Sequence, residues 1–345
     1  MLSHGKKIVP AFLTAGLLLT AFERTRTDRL MVDSAQALLA SLYPDQKKKI
    51  SFALDNTPGN NNDERTHWLY TPFERHGLML KEMSPTQQRL AEALLAAGLA
   101  SQGLIKAHTI MSLDTLLFIQ EKDGNLERDP SKYYFSIFGD PKTEGTWGYR
   151  FEGHHVSLNY TVVNGKIAST PSFFGSNPAE VLEGKRKGLR VLGREQDLGQ
   201  KMIAALTPDQ QAIAIVDPKP YMDILTTNSR KAALTGQPNG LPVSKMTAAQ
   251  KAILDELVAE YAYDFPSDIA DGRLAQYKRL QNEAFFAWSG SVKPAERHYY
   301  RIQTPEFMIE YDKAQEDGNH IHSVWRDFKN DWGEDLLAAH LKAAH

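Results

Sequence analysis

The chain has 345 residues, 42% apolar and 24% charged, which is enough to bury a large core in a soluble globular fold. Its 40 Lys and Arg against 42 Asp and Glu leave a formal charge of −2, so no overall attraction to nucleic acid or to an anionic membrane is expected. The absence of cysteine excludes disulfides, thiolate metal sites, iron–sulfur clusters and a cysteine nucleophile, leaving His, Asp, Glu and carbonyl oxygen as the possible metal ligands.

At the N-terminus His4, Lys6 and Lys7 precede the uncharged run IVPAFLTAGLLLTAF (8–22), which the charged ERTRTDR follows at once. This is the layout of a secretory leader, and the run falls short of the roughly 20 apolar residues of a membrane span. Residues 1–24 are therefore expected to be a leader, residues 25–345 a single domain, and the protein periplasmic or secreted with no span in its mature chain. DNTPGNNNDER (55–65) reads as a loop whose oxygens lack EF-hand spacing. Arg65, Trp68, Arg75 and His76 beside it read as core rather than as a sugar-stacking set.

Three stretches repeat one local signal: MSPTQQRLAEALLAAGL from 83, LTPDQQAIAIV from 206 and MTAAQKAILDELVAEYA from 246. Each sets a hydroxyl (Ser84, Thr207, Thr247) three residues before a glutamine (Gln87, Gln210, Gln250), so a capping box should start a helix there. Between the first two, GYRFEGHHVSLNYTVVNGKIASTPSFFG (148–175) alternates apolar and polar residues around Asn164-Gly165, which predicts two antiparallel strands. FFGSNPAEV suggests a helix beginning at Pro178 with Ser176 or Asn177 as its cap. One or two long helices should then run to about 207, followed by an irregular loop over KPYMDILTTNSRKAALTGQPNGLP. HYYRIQTPEFMIEYD (298–312), split at Thr304-Pro305, is a second β region, and after the turn QEDGN the stretch IHSVWRD should pair beside it. DLLAAHLKAAH closes as a helix. The fold class expected is α+β, an antiparallel sheet from both halves of the chain with a large, mostly helical insert packed on it.

Strand parity sorts the polar residues. Val156, Leu158, Tyr160 and Val162 form one core face, which places His155, Ser157, Asn159 and Thr161 on the other; His154 is in phase with the apolar set and reads as structural. Phe307, Ile309 and Tyr311 send Met308, Glu310 and Asp312 to the opposite side. His320 and His322 point together, about 6.5 Å apart along the strand, a spacing from which two imidazoles can converge on one ion. His155, His320, His322 and Glu310 are the expected metal ligands, with His154, Asn159 and Asp312 as lesser candidates, and this donor set suits zinc first, then copper, iron or manganese. Arg301 and Arg326 are expected to hold developing negative charge, Asp327 to support them, and Glu310 to serve as fourth ligand or general base.

GYRFEGHHVSLNYTVVNG, STPSFFGSNPAEV, RKGLRVL, FAWSG, HYYRIQTPEFMIEYD and NHIHSVWRD together resemble the domain-of-unknown-function family numbered 3500, found largely in exported bacterial proteins. ERTHWLYTP (64–72) and KAHTIMSLD (106–114) extend the likeness, which runs from about residue 60 to about 340. The resemblance implies one fold across this span and makes GHH, YYRIQ and HIHSVWRD part of the family pattern. It supplies no reaction. His108 departs from that pattern and is left out of the site.

No GxGxxG, GxxxxGK[ST], HExxH or GxSxG motif occurs, and none of Ser157, Ser172, Ser176 and Ser323 stands out as a nucleophile. The expected function is thus an exported metal-dependent enzyme, hydrolytic, acting on a small polar or saccharide-like substrate. The alternatives are a non-catalytic metal- or ligand-binding module and a copper or iron oxidoreductase on the same histidines.

Overall fold

A computed structural model describes residues 26–54, 63–120, 128–233 and 237–344. The expected leader and most of the Asn-rich loop lie outside the described residues. The first half begins α1 (Thr27–Ser41), α2 (Pro44–Ile50), β1 (Ser51–Phe52), β2 (Leu78–Met79), α3 (Pro85–Gly98) and α4 (Ser101–Gln120). Strands β3 (Tyr134–Gly139), β4 (Thr146–Gly153), β5 (Val156–Val163), β6 (Lys166–Ala168) and β7 (Ser172–Ser176) complete it. The second half runs α5 (Gly193–Ala204), α6 (Pro208–Ala214), β8 (Ile215–Asp217), β9 (Leu241–Pro242), α7 (Ala248–Ala262) and α8 (Ser267–Leu280). Then come β10 (Phe285–Gly290), β11 (His298–Gln303), β12 (Phe307–Gln315), β13 (His320–Asp327) and α9 (Glu334–Ala344).

Every strand joins one mostly antiparallel sheet, in the order β1-β3-β4-β5-β7-β13-β12-β11-β10-β8, with β2 on β3, β6 on β5 and β9 on β10. The fold is α+β. It is also duplicated. Each half starts with two helices, runs its first short strand parallel to the strand after its helix pair, and adds a second short strand antiparallel to it. The halves meet where β7 pairs with β13.

The sequence carries the duplication in its capping signals. LYPDQ (42–46) matches LTPDQ (206–210), and GLMLKEMSPTQ (77–87) matches GLPVSKMTAAQ (240–250). All three expected boxes form, with Ser84, Thr207 and Thr247 accepting from the backbone of Gln87, Gln210 and Gln250. All three glutamines do more than cap. The amides of Gln46 and Gln87 bond each other at 2.9 and 3.1 Å while Gln87 donates to the Ser41 carbonyl at 2.9 Å. Gln210 and Gln250 repeat the pair at 2.7 and 3.1 Å, with Gln250 donating to the Ala205 carbonyl at 2.8 Å. Each buried glutamine thereby satisfies the end of the first helix of its half, α1 or α5, whose last carbonyls have no partner of their own.

Helices cover one face of the sheet, packing Leu94, Leu95, Leu254 and Leu257 into a cluster with Val156, Leu158, Tyr160, Ile309, Tyr311 and Trp325, the faces that parity predicts as core. The opposite face is covered as well. Loops 63–76 and 218–233 and the segment 328–333 cross it, and their Trp68, Tyr70, Ile224 and Trp332 pack with Phe173 and Val324. Ser157, Asn159 and Thr161 are buried for that reason.

Three expectations are corrected. Asn164-Gly165 does turn, with φ of 48° and 77°, but the strand it leads to has only three residues; the long partner of β5 is β4, joined through a tight turn at His154-His155. The predicted long helix before 207 is limited to α5, because Gly184 and Gly188 adopt φ of 76° and 86° and break the segment. No helix starts at Pro178; Asn177 donates instead to the Glu316 carboxylate at 2.9 Å.

His298, stacked on Trp288 at a ring distance of 4.8 Å, is held to a pKa of about 4 by burial. An unfolded histidine titrates near 6.5, so the unfolded chain takes up this proton first. Stability from His298 is therefore complete above pH 6.5 and declines towards pH 4, by about 3 kcal/mol. His298→Phe is expected to shrink the gap between urea midpoints measured at pH 7 and pH 4.5; an unchanged gap would remove this account.

Candidate metal centre

His320 and His322 project from β13 on the loop-covered side, in alternation with Ile321, Ser323 and Trp325 on the helical side. His155 reaches them from the β4–β5 turn, where its φ of 64° is left-handed. Two backbone bonds hold it there: its NH donates to the Tyr70 carbonyl at 2.9 Å and its carbonyl accepts from the Gly175 NH at 2.7 Å. The ring lies against Gly175, where an added Cβ would come within 2.8 Å of the imidazole, so glycine is required by this close approach.

The three Nε2 atoms stand 2.8 Å (His155–His320), 3.1 Å (His320–His322) and 3.3 Å (His155–His322) apart. Nitrogen ligands of a tetrahedral zinc are about 3.3 Å from one another, given Zn–N bonds of about 2.0–2.1 Å. The far nitrogens are occupied: His320 Nδ1 lies 3.0 Å from Glu316 and His322 Nδ1 2.7 Å from Asp223. A carboxylate on Nδ1 fixes the proton there and leaves Nε2 as a bare lone pair, so at most His155 can supply a proton to the centre of the cluster. Two fixed acceptors thus face a third ring nitrogen that can bring at most one proton for both contacts, an arrangement that could hold a cation.

His154 stacks on His155 at 3.9 Å and is itself held by Asp114 at 2.6 Å, with Arg128 beside it. Tyr70 meets His322 edge-on at 5.1 Å, and its hydroxyl lies 3.4 Å from Asp223. Burial, reinforced by the neighbouring histidines, pushes the pKa of His155 well below the usual value; burial also lowers His154 and His322 despite their carboxylate partners. These three rings are neutral at pH 7, the form that binds metal. His155 is buried, whereas the side chains of His320 and Asp223 are 11% and 36% exposed, so solvent reaches the cluster from that side.

The other expected residues are employed elsewhere. Glu310 accepts from the backbone NH groups of Leu225 and Thr226, from the Thr226 hydroxyl and from Tyr299 at 2.8 Å, pinning the 218–233 loop. Arg326 is wholly buried, pairs with Asp331 rather than Asp327, and donates to the carbonyls of Ser229 and Arg230 at 2.8 and 3.3 Å. Arg301 binds Asn239 and Gln303, and Asn159 donates to the Pro171 carbonyl. Asp327 accepts from the NH groups of Lys329 and Asn330 at the far end of β13. Parity placed Glu310 on the right face, but a carboxylate taken up by a covering loop is not a free ligand. Asp312 lies opposite His322, with burial, then Asp223, raising its pKa to about 8 and one oxygen unpartnered among the described residues. Asp223, missed in the sequence, comes from a loop without periodicity; Glu316, one helical turn's spacing before His320, was the more readable signal. His108 pairs with Glu92 on the surface, apart from the cluster. Arg65, Trp68 and Arg75 are buried structural groups, while His76 is exposed beside Glu64.

A family model described as "Protein of unknown function (DUF3500)" matches residues 24–334. The chain belongs to this family. No curated protein and no solved structure matches it. In this DUF3500 member the likeness spans both halves of the duplicated sheet, including β5, β7 and β13, which carry or support the histidines.

Asp223→Asn is expected to weaken metal binding about 10- to 100-fold, since it removes the charge that orients His322. Gly175→Ala should weaken it too by displacing the His155 ring. Titration against a competing chelator checks both, and wild-type affinity in the two variants would show that neither contact shapes the cluster.

Proposed function

We propose that the protein is an exported metal-dependent enzyme of hydrolytic type, with one ion held by His155, His320 and His322. The observation that carries the reading is the convergence of three Nε2 lone pairs, two of them fixed by carboxylates on the opposite nitrogen. Three imidazole ligands with no thiolate suit zinc, which would supply Lewis acidity and an activated water for hydrolysis. Asp223 and Glu316 orient the ligands, and Glu310 stabilises the loop that delivers Asp223. The solvent-accessible carboxylates beside His320, Glu316 and Asp223, suit a small hydroxyl-bearing or saccharide-like substrate approaching from that side. The charged, apolar and again charged sequence of residues 4–29 supports export.

A second reading, a copper or iron oxidoreductase on the same ligands, has one observation in its favour. Tyr70, an oxidisable ring, touches His322 and lies beside a proton acceptor in Asp223, with Trp68 at 5.5 Å behind it. Among the described residues no helix is long and apolar enough to cross a membrane.

Elemental analysis of the purified protein, with His320→Ala and His322→Ala in parallel, tests the proposal. About one equivalent of zinc in the wild type and its loss in both variants is expected. Full metal content in both variants removes the metal centre, and native copper or iron in place of zinc selects the oxidoreductase.

A further inference from the structure

On the helical side of the sheet, a groove of about 650 Å³ lies between α8 and the chain from Gly165 to Thr170. Trp325, Asp327 and Asn330 close its end. It is distinct from the histidine cluster, because Trp325 faces the helices and His322, three residues earlier on β13, faces the loops.

Arg273 gives the groove its character. Its side chain is nearly buried, with the guanidinium 3.9 Å from the centre of the Phe265 ring and 4.7 Å from that of Trp325. Nη2 donates to the Ser169 carbonyl at 2.8 Å and to the Ser169 and Ser172 hydroxyls at 2.9 and 3.3 Å. Nη1 has no partner, and no carboxylate pairs with this arginine among the described residues. The other two arginines of the groove are neutralised, Arg26 by Asp28 and Arg279 by Glu306. Burying a cation with no paired counterion is unfavourable; aromatic stacking and neutral hydroxyls recover part of this, while Asp327, which lines the groove, and Asp264 and Asp331 act on it only from beyond ion-pair distance. The burial also pulls the arginine's pKa down to about 10.

We propose that this groove is a binding site for a small oxyanion ligand carrying hydroxyl groups, with Arg273 as its cationic anchor. Ser169, Thr170, Gln276 and Asn330 supply neutral hydrogen-bonding groups around it, and the volume suits a ligand the size of a sugar acid. The proposal is independent of the metal reading.

Gly272 permits a test that leaves Arg273 in place. It sits within α8, lines the groove, and a Cβ added there meets nothing within 4 Å, so Gly272→Leu projects a side chain into the groove on a backbone that favours it. Isothermal titration of the full chain uses glucuronate, inorganic phosphate and uncharged glucose as probes. Saturable binding of glucuronate, of phosphate or of both is expected, without binding of glucose, and the pattern tells a sugar-acid site from a phosphate site. Gly272→Leu and Arg273→Gln should each weaken that binding at least tenfold, with Gly272→Leu keeping the wild-type metal content. Absence of binding by both anions, binding of glucose as tight as glucuronate, or wild-type affinity in Gly272→Leu would overturn the proposal.

Discussion

The pairing of β7 with β13 is the contact on which the candidate site depends. It sets His322 opposite Gly175 and Ile321 opposite Ser176. Gly175 in turn bonds the His155 carbonyl and leaves room for its ring. A shift of one residue in this register would send His320 and His322 to the helical face and Ile321 to the loop face. Because the apolar cluster beneath Ile321, Ser323 and Trp325 opposes that slip, the position of the imidazoles is fixed by hydrophobic burial on the other side of the same strand.

The covering of the second face determines which polar residues remain available. Glu310 and Arg326 are next to the histidines in strand parity, yet each satisfies backbone groups of a crossing loop that would otherwise be buried without partners. Their anchoring brings Asp223 to His322. The polar groups are thus divided: charged groups deep under the loop build the support, and the three imidazoles turn their Nε2 atoms towards one another. An unpaired Glu310 in that position would be costly to bury, which is why its several donors and its place in the core go together.

Much of this was legible in the sequence. Capping boxes mark helix starts because a hydroxyl and a glutamine three residues apart satisfy local backbone groups, whatever the tertiary context. Parity gave the core faces of β5 and β12 and the common direction of His320 and His322; the expected meeting with His155 comes about from a turn at φ 64° and not from a strand face. The roles of Glu310, Arg301 and Arg326 were not legible, because parity reports the face and not what lies over it; that depended on loop 218–233, which has no period to read. The helix expected from Pro178 failed for a related reason, since Gly184 and Gly188 adopt positive φ in a segment whose composition otherwise favours a helix.

The duplication explains where the site lies and why, among the described residues, the second half does not repeat it. Tyr149 stacks on Tyr160 at 4.5 Å as Tyr300 stacks on Tyr311 at 4.9 Å, and Arg150 and Arg301 follow the first tyrosine of each pair. Counting forward from these anchors, His155 in the β4–β5 turn corresponds to Glu306 in the β11–β12 turn. Glu306 pairs with Arg279 on the surface of α8. Equivalent turns on equivalent strands therefore carry an imidazole in one half and an ordinary ion pair in the other. The remaining two histidines come from β13, the strand that the second half contributes to the junction, so neither half contains the cluster. A scaffold built twice supplies rigid, matched turns, and the asymmetric chemistry arises only where the two copies are joined.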